Sequence, residues 1–139
     1  MVMSAEHDPL ADAFDALPLH RFLGVRLEER RPGFARVRLD IGPNVTGGVE
    51  GSVHGGVLAA LVDIAMLQAL FPMLEPGDRP AGTADLGITY LRPAQGEAVW
   101  AEATVLRKGR QLAAIEVAIV DERGALCAKG RVLYALRRG

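Results

Sequence analysis

The 139 residues contain a single cysteine, Cys127, so no disulfide can close within the chain. One thiol suits a reducing compartment. Aromatic side chains are scarce at 5%, too few to build stacking platforms for bases. An excess of one charge is also missing. Sixteen Lys and Arg stand against 17 Asp and Glu, a net charge of −1, so the basic surplus of a nucleic-acid binder is absent. The three histidines, His7, His20 and His54, form no set with cysteine and acids at metal-ligand spacing, and no metal is expected. Residues 1–10 carry Glu6 and Asp8 and lack the apolar stretch of a secretory signal. These absences leave one expectation: a single domain over 1–139, cytoplasmic, with no nucleic-acid partner.

What the chain does have is one long apolar run, from Ser52 to Phe71, with no proline until Pro72. Its length suits a helix of several turns. A helix that is apolar nearly all round is buried. Asp63 sits in mid-run, and a carboxylate at the centre of a bilayer is costly, so the core helix of a folded domain is expected rather than a membrane span. A buried Asp needs a partner or a shifted pKa, which makes Asp63 the first candidate for chemistry. At the start of the run, Ser52 is the expected cap and His54-Gly55-Gly56 fills the first turn. The first amides of a helix have no partner within it, and two glycines leave them open to a ligand oxygen, aided by the helix dipole.

Spacing then constrains any site. Gly55 and Asp63 are eight positions apart, about 12 Å along one helix axis. One small reacting group cannot touch both. If both serve one site, they must come from two copies of the helix lying antiparallel across a dimer interface.

The rest of the chain supplies a sheet. Met1–Asp8 is polar and expected to be loose. Pro9 opens a short helix with Leu10, Ala13, Phe14 and Leu17 on one face; Pro18 ends it, and Leu19–Leu23 adds a turn. Val25–Arg30 and Phe34–Ile41 read as a hairpin about Arg31-Pro32-Gly33. Residues 42–53 and 72–82 read as loops. Thr83–Tyr90, Glu97–Arg107, Gln111–Val120 and Ala125–Leu136 read as strands with glycine-bearing turns between the later ones. In Thr83–Tyr90 the alternation sets Ala84, Leu86, Ile88 and Tyr90 against Thr83, Asp85, Gly87 and Thr89. Antiparallel strands about one buried helix make an α+β domain.

Several of these stretches together resemble a known family. His54-Gly55-Gly56 with an acid nine positions after the histidine, the stretch Gly82-Thr83-Ala84-Asp85-Leu86-Gly87-Ile88-Thr89-Tyr90-Leu91-Arg92-Pro93-Ala94, and the hairpins at Lys108-Gly109-Arg110 and Asp121–Gly124 are similar to the hotdog-fold acyl-CoA thioesterases, above all the phenylacetate-degradation type. The resemblance runs from about Leu19 to Tyr134. It implies a long central helix wrapped by a curved antiparallel sheet, a homodimer often doubled to a homotetramer, and hydrolysis of acyl-CoA thioesters without a cofactor, CoA being part of the substrate. By that analogy Asp63 is the general base or the nucleophile, the Gly55 amide polarises the thioester carbonyl, and Thr83 orients the attacking water. The same analogy gives His54 a positioning role. Gly56 would lie against the substrate. Where the family often has Asn six positions before the histidine, this chain has Gly48; Asn44, four residues earlier, is the candidate replacement, and the alternative is that the role goes unfilled. Arg107, Lys108 and Arg110 form a basic hairpin tip suited to the phosphates of CoA, with Arg92 a weaker candidate.

Two other functions fit the same features. One is a non-catalytic acyl-CoA-binding or regulatory hotdog domain. The other is a hotdog hydratase or dehydratase, which needs a His and an acid at one site; His54 and Asp63 are too far apart along one helix to form that pair.

Overall fold

A computed structural model describes residues 9–138; the segment expected to be loose, Met1–Asp8, lies outside them. Two short helices come first, α1 (Pro9–Ala16) and α2 (Pro18–Leu23). Pro18 stands at the first position of α2, where its missing N–H costs nothing. Strands β1 (Val25–Arg31) and β2 (Phe34–Asp40) form the expected hairpin. A loop with one 3-10 turn at Val49–Gly51 then leads into α3 (Gly55–Leu70). The chain finishes with β3 (Asp78–Tyr90), β4 (Ala98–Lys108), β5 (Leu112–Val120) and β6 (Leu126–Arg138).

All six strands join one antiparallel sheet in the order β1-β2-β4-β5-β6-β3. Helix α3 lies across its inner face. Val37, Leu39, Val99, Ala101, Ile115, Val117 and Val132 from the strands meet Leu58, Leu61, Val62, Ala65, Met66 and Ala69 from the helix in one core. Gly130 on β6 sets how closely they meet: a Cβ there would lie 2.6 Å from a methyl of Val62. The sheet covers only one side of α3. Val57, Ala59, Ala60, Asp63 and Leu67 on the other side remain half-buried. The stretch Gly55–Met73 is apolar and long enough to cross a bilayer by composition, yet here it is the core helix of the sheet.

Strand β3 begins five residues earlier than the alternation suggests. Asp78, Arg79 and Pro80 pair with Arg138, Arg137 and Leu136. Pro80 argues for a loop in the sequence, but β3 is an edge strand and a proline is tolerated on an edge. Its register with β6 shifts between Pro80 and Gly82 and again between Thr83 and Asp85. A bulge of this kind adds a residue and changes which face a side chain takes. Thr83 therefore turns toward α3, on the same side as Leu86, Ile88 and Tyr90, not opposite them as strict alternation predicts.

Candidate active site

The helix start differs from the expected one. His54, not Ser52, caps α3: its Nδ1 accepts the Gly56 N–H at 2.9 Å. The His54 carbonyl takes the Val57 and Leu58 N–H groups. The Gly55 N–H is left without an acceptor among the described residues, at the positive end of a sixteen-residue helix. Beside it runs a cleft of 360 Å³ whose walls include Val49, Val53, Gly55, Leu58, Tyr90 and Arg92. The loop that shapes this cleft is pinned down by backbone bonds: His54 N–H to Val45 O, Val53 N–H to Ala94 O, and the Gly47 and Gly48 N–H groups to Ser52 O.

Gly48 also lines the cleft. A Cβ there would lie 2.5 Å from Ser52 Oγ and 2.8 Å from Val53 O, so this loop has no room for a side chain at the position where the related sequences often carry Asn. Asn44 is engaged elsewhere. Its amide donates to the Phe22 carbonyl at the end of α2, at 2.9 Å, and ties the loop to that helix.

Eight residues along α3, Asp63 is half-buried rather than fully buried in the single chain. The Thr83 hydroxyl donates to its Oδ1 at 2.7 Å, which leaves Oδ2 open. The β3 bulge is what brings Thr83 to this position. Tyr134 on β6, buried, stands close by; it lies opposite Thr83 in the β3–β6 register. Burial pushes the Tyr134 phenol up in pKa and the negative charge of Asp63 adds to this, against a lowering hydrogen bond from the Gly82 backbone. Sequence reasoning passed over both Tyr134 and Tyr90. The signal it could have used is scarcity: the chain has two tyrosines, and each stands beside one of the two candidate groups on α3.

The basic candidates separate. Arg92, Arg107 and Arg110 are exposed. Lys108 is not free: its ammonium meets Asp78 Oδ2 at 2.7 Å, with the lysine side chain only 9% exposed and that of Asp78 fully covered. The Lys108 bond and the Glu75 backbone N–H hold the Asp78 carboxyl below the usual carboxylate range. Arg110, Arg137 and Arg138 line a second groove at this end of the sheet. Among the described residues no group of three or more His, Cys, Asp or Glu side chains is placed to hold a metal ion.

An apolar helix with an open N-terminal amide, an acid two turns on that is gripped by a strand hydroxyl, and a six-stranded wrap suit acyl-transfer chemistry. The family model of the thioesterase superfamily matches residues 50–128, a span that holds both candidate groups. The chain belongs to the thioesterase superfamily. Within that superfamily it is 30% identical over 131 residues to the medium/long-chain acyl-CoA thioesterase YigI of Escherichia coli, covering 85% of this chain and 84% of that one. The structure of a phenylacetic acid degradation protein from Thermus thermophilus matches with a TM-score of 0.75 at 28% identity, over 86% of this chain and 98% of that one. A Bacillus halodurans protein solved with CoA matches with a TM-score of 0.67 at 31% identity, over 73% of this chain and 66% of that one.

Proposed function

We propose that this chain is an acyl-CoA thioesterase whose active sites are shared between two copies. One observation carries the reading: Asp63, gripped by Thr83 of β3, and the open Gly55 N–H lie on one helix, too far apart to meet one thioester, about 12 Å by helical rise. Strand β3 resolves the distance. It is one of the two edges of the sheet, β1 being the other, and an unpaired edge is a template for another strand. Its Thr83 end meets Asp63 and its Tyr90 end meets Gly55. If β3 pairs antiparallel with its own copy about a two-fold axis at Gly87, Leu86 faces Ile88 and, across the bulge, the Thr83 end of one chain meets the Tyr90 end of the other. Asp63 of one copy then faces Gly55 of the other, twice. The half-buried apolar side of α3 gains a cover in the same step.

In such a site the thioester carbonyl oxygen lies against the Gly55 N–H. Asp63 takes a proton from a water that Thr83 holds, and the water oxygen attacks the carbonyl carbon. The electron pair of the C=O bond moves onto oxygen, where the amide and the helix end stabilise it. The adduct collapses with cleavage of the C–S bond, and the CoA thiolate takes up the proton. The products are a carboxylic acid and CoA. The exposed Arg107 and Arg110, with Arg92 at the cleft, are the groups we assign to the CoA phosphates; Lys108 serves them only by releasing Asp78.

Release of free thiol from a panel of acyl-CoAs tests this, with short, medium and long chains and phenylacetyl-CoA included because the YigI and phenylacetic acid degradation relatives point to both kinds. Asp63→Asn should lower kcat by about 10²- to 10⁴-fold on whichever substrate is turned over. Undiminished turnover in that variant would overturn the assignment.

A further inference from the structure

Tyr90 is half exposed and sits on an edge strand, a place where a tyrosine ordinarily needs no explanation. Its contacts are specific, however. The hydroxyl donates to the Gly55 carbonyl at 2.6 Å. Its ring lies so close to the Gly55 Cα that an added Cβ would stand 3.2 Å from both Cζ and the hydroxyl oxygen. The Gly55 carbonyl and the Gly56 N–H belong to one peptide unit, and that N–H donates to His54 Nδ1 at 2.9 Å. A hydrogen bond accepted by a peptide carbonyl strengthens the one its N–H donates, since the two polarise each other. A neutral imidazole that accepts at Nδ1 carries its proton on Nε2.

We propose that Tyr90 is a positioning residue that acts through the Gly55–Gly56 peptide, holding His54 as the Nε2–H tautomer and fixing the first turn of α3 so that the Gly55 N–H stays open at the cleft. The effect on rate rests on the thioesterase reading above; the effect on the turn does not. Phenylalanine at this position keeps the ring and removes only the donor.

The test is Tyr90→Phe, read two ways. By NMR of the ¹⁵N-labelled protein, the Gly56 amide proton should move upfield and the His54 ring nitrogens should lose their single-tautomer pattern. In the thiol-release assay kcat should fall about three- to tenfold, the usual range for one neutral hydrogen bond, with KM unchanged. A fall in KM-normalised rate caused by a rise in KM alone would overturn the positioning role. Unmoved Gly56 and His54 signals would overturn the relay whatever the rate does, and moved signals with wild-type kcat would overturn its catalytic consequence. If the wild-type chain releases no CoA from any substrate, it is the thioesterase reading that fails, and the NMR result still decides the relay. Tyr90→Leu, which removes the ring as well, should disturb the same signals at least as much; if it leaves them in place, the relay is wrong even should Tyr90→Phe prove unstable.

Discussion

Replacing Gly130 by alanine puts the helix-on-sheet contact to a quantitative test. The glycine lies on the inner face of β6 with ordinary strand torsions, so alanine brings no backbone strain of its own. What it brings is a methyl 2.6 and 2.8 Å from the two Cγ atoms of Val62. Ordinary contact begins at 3.4 Å, so the nearer gap is about 0.8 Å too short. Val62 is fully buried at the middle of α3 and cannot swing into solvent. Helix and sheet must therefore separate by most of that distance. Overpacking of this kind costs about 1–3 kcal/mol, measured as a drop in the urea midpoint at unchanged m-value. Asp63 is the next residue along the helix, so the same displacement should stretch its bond to Thr83 and lower kcat; a shift near 1 Å in a reacting group costs up to about 10²-fold. Val62→Ala alone leaves a void and destabilises by about 1–3 kcal/mol, on the scale of deleted buried methyls. Combined, the two changes should be markedly better than additive, because the methyl added at position 130 occupies the space that the Val62 side chain vacates. Strict additivity in this double-mutant cycle, or a Gly130→Ala variant as stable as the parent, would refute the close-packing account.

Two further outcomes follow from the arrangement. If the sites are shared between two chains as proposed, Asp63→Asn and Gly55→Pro, each strongly impaired alone, should regain activity when unfolded and refolded together: half the dimers would be mixed, and one of the two sites in each would take an intact Asp63 from one chain and an intact Gly55 from the other, giving about one quarter of the parent rate. No recovery on mixing would mean that each chain carries its own site. The second concerns Asp78. Its pKa is depressed in the folded state, chiefly by Lys108 and then by the Glu75 N–H. Its contribution to stability is thus full above the ordinary carboxylate pKa near 4 and is lost as pH falls through the lower folded value. Urea midpoints between pH 6 and pH 2.5 should fall more steeply for the parent than for Asp78→Asn; parallel curves would remove the ion pair from the account.

The sequence made the core of this architecture legible, and the reasons are physical. The run from Gly55 to Leu70 contains no residue able to stop a helix, and α3 spans it. The alternation of Ala113, Ile115, Val117 and Ile119 against half-buried neighbours reports a sheet with one covered face. The site was legible where it depends on residues close in sequence, as in His54-Gly55-Gly56. It was obscured where distant segments meet. The period of two could not foresee that a bulge after Thr83 turns its hydroxyl toward Asp63. Nothing near Lys108 announces that Asp78, thirty residues earlier, holds it in place. Ser52 is a residue type able to cap a helix, whereas His54 is the cap and the loop bond from its N–H to Val45 O sets the helix start two residues later.

Strand β3 touches both candidate groups on α3, with a threonine at Asp63 and a tyrosine at Gly55. It therefore works as a ruler. In the proposed pair, inserting or deleting a single residue between positions 84 and 89 would throw both shared sites out of step at once, since each would borrow one end of the ruler from either chain. Substitutions along this stretch can tune the fit; a change in its length would abolish both sites together.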